Sequence, residues 1–213
     1  MLQRTRGAVI GAALVLALAG CSGGGADGGD GGKGGSGGGG VADAPFNPSQ
    51  VAQAIPSKLA APKGWNAQEP RVLDGSAAQQ QCQTQGQWNC AGLTAQATTR
   101  QADYETNGDK DVDVLFTLLA YDSVDNAKAG LKAAVAETHK DANAKTTPLT
   151  LDAGADETDA FTEEGYATVS LRVGSVVAVM FGENLPKDHD IQSFAKLQVD
   201  RITTSATGKN PDA

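Results

Sequence analysis

The sequence predicts an α+β fold, a single domain in which an antiparallel sheet built of two hairpins carries packed helices. Three observations predict it. Residues 93–121 and 167–181 each read as two strands joined by a tight turn, three other stretches show capped helical spacing, and helices alternate with hairpins without the βαβ order of a parallel sheet.

Asn47-Pro48 supplies an N-cap and a proline at the first helical position, opening a short helix that reaches about Ile55 before Pro56 stops it. Trp65 is expected near the domain edge, and Arg71-Val72-Leu73 reads as a strand. Residues 82–90 follow as a loop closed by two cysteines. Thr, Ala and Gln dominate from Leu93 to Thr106, and Val, Leu and Phe from Val112 to Tyr121. Asn107-Gly108 between them supplies the positive-φ pair of a type I′ turn. Asp122 or Ser123 then caps a helix with Val124, Ala127, Leu131, Ala134, Val135 and Thr138 on one face, and His139 and Lys140 in its last turn.

Residues 149–165 are less regular and acidic, and are read as mostly facing water. In the second hairpin Ala167, Val169, Leu171 and Val173 alternate with Thr168, Ser170 and Arg172, the pattern of a strand with one apolar face. Gly174-Ser175 turns the chain, and residues 176–181, apolar on both faces, read as a central strand. Pro186, Asp188 and Asp190 start a last helix with Ile191, Phe194, Ala195, Val199 and Ile202 inward.

The first 45 residues are not expected to join this core. Arg4 and Arg6 precede a 12-residue apolar run, too short to span a bilayer but suited to an export signal, so residues 1–20 read as a signal peptide. Leu18-Ala19-Gly20-Cys21 resembles the bacterial lipobox, whose cysteine receives diacylglycerol. Cys21 is therefore the expected lipidation site, palmitate is among the expected acyl chains, and the protein is expected on the outer face of the cell membrane. Residues 21–45 hold 13 of the chain's 27 glycines and read as a disordered tether with a reach of roughly 25 to 30 Å. That leaves residues 46–205 as the domain and 206–213 as a disordered tail. A domain of this size buries roughly 70% of its unfolded surface, so it needs no metal or dense disulfide framework.

With Arg4 and Arg6 removed, 15 basic residues face 25 acidic ones, a net charge of −10. Nucleic acid is thereby not expected as a partner, since neutralising phosphates requires the opposite sign. If Cys21 is lipidated, Cys82 and Cys90 remain as a pair in an oxidising compartment and are expected to be bonded, contributing roughly 2.5 kcal/mol in the chain-entropy model.

Chemical motifs each meet a plainer reading. The glycine patterns of the tether lack the strand and helix that give such loops their geometry. Residues 107–113 carry alternating oxygens, but Val114 and Ala120 stand where a calcium loop needs glycine and glutamate, and a hairpin tip explains the segment. Ser193-Phe194-Ala195-Lys196 matches S-x-x-K without its companion motifs. His139 and His189 sit alone among polar neighbours and are read as surface caps. No metal, cofactor or catalytic residue is expected. Trp88 is either a partner anchor or a ring packed on the disulfide.

Four features together resemble actinobacterial cell-surface lipoproteins and the related extracellular sensor domain of mycobacterial serine/threonine kinases. They are the lipobox with its tether, the strand-then-helix segment 112–139, Gly154-Ala155-Asp156-Glu157, and Arg172-Val173-Gly174-Ser175-Val176-Val177. The kinase domains place a cysteine in the first long helix, and this helix has none. The resemblance implies a curved antiparallel sheet with a ligand cleft, acting in binding or sensing. The sheet-and-helix fold of photosystem-associated and nuclear-transport proteins is the alternative. The expected function is a membrane-anchored, non-catalytic binding or sensing domain for a small ligand or an envelope protein. A small envelope enzyme or a structural wall-associated role is the alternative. Asp156, Glu157, Arg172 and Trp88 form the expected contact surface, and the sequence carries no signal for oligomeric state.

Overall fold

Eight strands pair antiparallel in one sheet in the computed structural model, which describes residues 42–85, 89–103, 111–142 and 145–213. The strands are β1 (Asn66–Ala67), β2 (Arg71–Asp74), β3 (Leu93–Asp103), β4 (Val112–Tyr121), β5 (Thr147–Pro148), β6 (Glu157–Glu163), β7 (Tyr166–Val173) and β8 (Val176–Glu183). Their order is β1-β3-β4-β8-β7-β6-β5, with β2 also pairing β3. The two expected hairpins, β3–β4 and β7–β8, form the centre and meet along β4 and β8.

Helices cover both faces. On one lie α1 (Pro48–Ala54) and α4 (Ile191–Ala206), which bury Val51, Phe194, Val199 and Ile202 against Phe116, Leu118, Leu171 and Met180. On the other lie α2 (Gly75–Gln85) and α3 (Val124–Asp141), packed on Leu93, Leu119, Tyr121, Val177 and Val179. β4 shows how one strand serves both layers: Val114, Phe116, Leu118 and Ala120 face the first and Leu119 and Tyr121 the second, as the two-residue strand period dictates. Each large apolar side chain buried in this way is worth about 1.5–3 kcal/mol.

The caps form as the sequence signals. Asn47 and Gln50 make a reciprocal capping box on α1, Ser123 accepts from Asn126 N at the start of α3, and Asp190 accepts from Ser193 N at the start of α4. Gly174 turns the second hairpin at φ +57°, which a side chain rarely adopts. The Asn107-Gly108 turn lies outside the described residues. The described register runs from Ala95↔Ala120 to Asp103↔Val112.

Four expectations are corrected, and one strand reading is extended. Cys82 lies not in a loop but near the end of α2, whose buried stripe is only Ala78 and Cys82, too small to mark a helix among glutamines. Residues 149–165 do not simply face water, since β6 pairs β7 and buries Ala160 and Phe161. The polar side of β7 is also covered: α3 lies over it, leaving Thr168, Ser170 and Arg172 at most 7% exposed. Residues 42–45 belong to the domain rather than the tether, because Ser175 N and Oγ donate to the Ala42 and Ala44 carbonyls, each at 2.9 Å. The segment after α4 folds back instead of trailing away, and the Asp212 carboxylate accepts from Arg201 Nη1 at 2.6 Å and Nη2 at 2.9 Å. Arg201 Nη2 also donates to the Gln53 and Ile55 carbonyls, tying the tail, α1 and α4 together.

Candidate functional site

Three of the four expected contact residues meet, and they satisfy one another. Glu157 pairs with Arg172 across β6 and β7, and the turn before β6 brings Asp156 beside them. Arg172 Nε donates to Glu157 Oε1 at 2.9 Å, and its Nη1 donates to Asp156 Oδ2 at 2.9 Å and to the Gly174 carbonyl at 2.8 Å. Gly174 N donates to the same Asp156 oxygen at 2.8 Å. The arginine side chain is 7% exposed and the carboxylates 37% and 47%. This knot joins the segments 154–157 and 172–177, and it pins the hairpin end on which Ala42 and Ala44 dock. Its two negative charges share one buried positive charge, so it is a structural clasp before it is an acidic surface. Trp88 and Cys21 lie outside the described residues. Cys82 and Cys90 are bonded, tying α2 to the chain entering β3.

Groups with catalytic potential are engaged elsewhere. Ser193 Oγ donates to the capping carboxylate of Asp190 at 2.8 Å, and Lys196 donates to Asp200 one turn along α4. The serine and lysine of the S-x-x-K match thus serve separate carboxylates. His189 stands edge-on to Trp65, which packs in turn on Phe194. His139 is no isolated cap: its Nε2 lies 2.8 Å from Asp159 Oδ2 on β6, and its ring lies over Phe161 with centroids 4.6 Å apart. That pair links α3 to the sheet. Most of the calcium-like segment lies outside the described residues. Its Asp113 carboxyl is pushed above its ordinary value by burial, with Arg100 opposing from 3.3 Å.

The feature that sequence reading misses is a cavity of about 500 Å³ at the other end of the sheet from the Arg172 knot. Its walls come from four separated segments: Leu149 and Leu151, Ala167 on β7, Leu185 after β8, and Ile191 at the start of α4. Gly182 makes room at its base, because a Cβ there would strike Leu185. Polar groups ring the mouth, and several are already fixed. Gln192 exchanges two hydrogen bonds with the Asp152 backbone, Asp190 caps α4, and Asn184 Nδ2 donates to the Asp111 carbonyl. Tyr166, 51% exposed, donates to Glu183 Oε1 at 3.1 Å, and this bond to a carboxylate raises the phenol above its ordinary value.

A second cavity of about 240 Å³ lies behind the same rim, between the end of α3 and the sheet. It is walled by Phe161, Phe181, Thr138 and Thr168, and it shares Glu163, Tyr166, Ala167 and Gly182 with the first. Among the described residues, Phe181 is one of the few large apolar side chains exposed, at 37%. No signal in the sequence could have assembled these walls, because each segment contributes one or two ordinary aliphatic residues.

Among the described residues no helix is long and apolar enough to cross a membrane, and no three metal-ligating side chains converge. No family model matches the chain, and no curated protein matches it in sequence. Among solved structures, the crystal structure of the extracellular domain of PknH from Mycobacterium tuberculosis is similar at a TM-score of 0.46 with 16% sequence identity, covering 76% of this chain and 99% of that one.

Proposed function

We propose that this chain is an exported lipoprotein, anchored through Cys21, whose domain binds a small apolar ligand in the cavity beside Tyr166 and performs no chemistry on it. The observation that carries the reading is the cavity itself. Its volume falls in the usual range for small-molecule sites, and its walls are aliphatic, with a few oriented polar groups at the mouth. The bonds made by Ser193, Lys196 and His139 support the non-catalytic part, since a nucleophile and its base must reach each other. The export signal, the lipobox and a disulfide suited to an oxidising compartment support the location.

Two experiments test the two halves. A neutral solvatochromic dye should bind saturably to the protein and at least tenfold more weakly to Ala167→Phe, whose ring obstructs part of the cavity while circular dichroism stays unchanged. Equal binding by both proteins removes the cavity from the account. Cys21→Ala should release the protein from membranes or block its processing, and unchanged partition into detergent would place the anchor elsewhere.

A further inference from the structure

We infer that the ligand is an aliphatic amphiphile with an uncharged or positively charged head, and that the site discriminates against carboxylate and phosphate heads. The inference rests on the cavity being the binding site and adds the chemistry of what enters it.

The walls argue for an alkyl chain. Leu149, Leu151, Ala167, Leu185 and Ile191 offer aliphatic surface without an aromatic platform inside, and the one ring at the mouth, Tyr166, has its hydroxyl turned to Glu183. A flexible chain gains from such walls at about 0.8 kcal/mol per buried CH₂, whereas a flat ring would find no face to stack on. The second cavity, walled by Phe161 and Phe181, opens on the opposite face of the sheet under α3 and is not part of this site.

The mouth argues against an anion. Among the described residues lining either cavity there is no Lys, Arg or His, and the ionisable side chains that do line them are Glu163, Tyr166 and Asp190. Asp190 caps α4, its Oδ1 accepting from both Ser193 N and Ser193 Oγ. A carboxylate held at the rim would therefore lose water without gaining a countercharge and would face fixed negative charge. A hydroxyl can instead use the Thr150 and Thr162 side chains at the mouth, and an ammonium is favoured by the same carboxylates that reject an anion.

The test uses the full chain carrying Cys21→Ser in detergent-free buffer, so that no attached lipid competes. Three probes with the same ten-carbon chain, 1-decanol, decylamine and decanoate, compete at pH 7 with the neutral dye below their micellar concentrations. Decanol and decylamine should displace the dye at least tenfold more effectively than decanoate. Thr150→Lys, an exposed change at the mouth, should bring decanoate to within about threefold of decanol. Equal competition by decanoate and decylamine in the unsubstituted site overturns the head-group inference while leaving the cavity reading intact. The head-group inference falls equally if Thr150→Lys folds and leaves decanoate unimproved. If the dye binds but none of the three probes displaces it, the alkyl-chain inference is wrong. If the dye itself does not bind, the cavity reading falls and takes this inference with it.

Discussion

Replacing Arg172 with methionine removes the centre of the knot that closes the β7–β8 hairpin, and the structure sets the size of the effect. The guanidinium makes three hydrogen bonds, two of them to carboxylates. Breaking a fully buried ion pair costs about 3–5 kcal/mol, because the abandoned charge has no solvent. Here Asp156 and Glu157 are more than a third exposed and regain water, so the loss is discounted to about 2–3 kcal/mol. For a domain of this size that lowers Tm by roughly 5–10 °C. The partners should differ. Asp156 Oδ2 accepts from both Arg172 and Gly174 N, whereas Glu157 accepts from Arg172 alone, so Asp156→Asn should cost more than Glu157→Gln. Urea unfolding followed by circular dichroism measures all three. A loss under about 0.5 kcal/mol for Arg172→Met, or the reverse order for the two amides, would refute this account of the knot.

Three further perturbations have definite signs. Gly130→Ala ordinarily stabilises a helix by about 1 kcal/mol, but a Cβ there would strike the Tyr121 ring and hydroxyl, so denaturant unfolding should show a net loss of about 1–2 kcal/mol; unchanged or increased stability contradicts it. Arg201 hydrogen bonds hold the Asp212 carboxyl below its ordinary value of 3.8, so the pair's stabilisation is complete above that pH and is lost as pH falls through the lowered folded value. The stability gap between the parent and Asp212→Asn should therefore be constant near neutrality and close in acid, and a gap independent of pH from 2 to 7 would refute the assignment. Replacing both Cys82 and Cys90 with serine should cost roughly 2.5 kcal/mol, and mass spectrometry without reduction should find the parent two hydrogens lighter than the dithiol.

What can be read from the sequence divides along a physical line. Both central hairpins and the three capped helices are legible because their signals are local: Asn47-Pro48, Ser123, Gly174 and Asp190 act within a turn or two of themselves. α2 escapes because helices are recognised by an apolar stripe, and its stripe is one alanine and one cystine sulfur. β6 escapes because an acidic strand near a sheet edge looks like a loop until its partner is known. The tail's capture depends on Arg201 reaching Asp212, 11 residues further along the chain, a contact that no periodicity encodes. Asp156, Glu157 and Arg172 stand out in the sequence as a group, but their mutual neutralisation emerges only when the register sets Glu157 opposite Arg172. The cavity is illegible throughout, since it is the space between four segments and not a property of any one of them.

The central claim is that a ligand enters the cavity beside Tyr166. The most direct measurement is methyl NMR on protein labelled at leucine and isoleucine, titrated with 1-decanol. Saturable shifts should appear at Leu149, Leu151, Leu185 and Ile191, with Leu119 and Leu131 on the far face of the sheet unmoved. Shifts confined to other methyls, or none at concentrations that saturate the dye site, would contradict the claim.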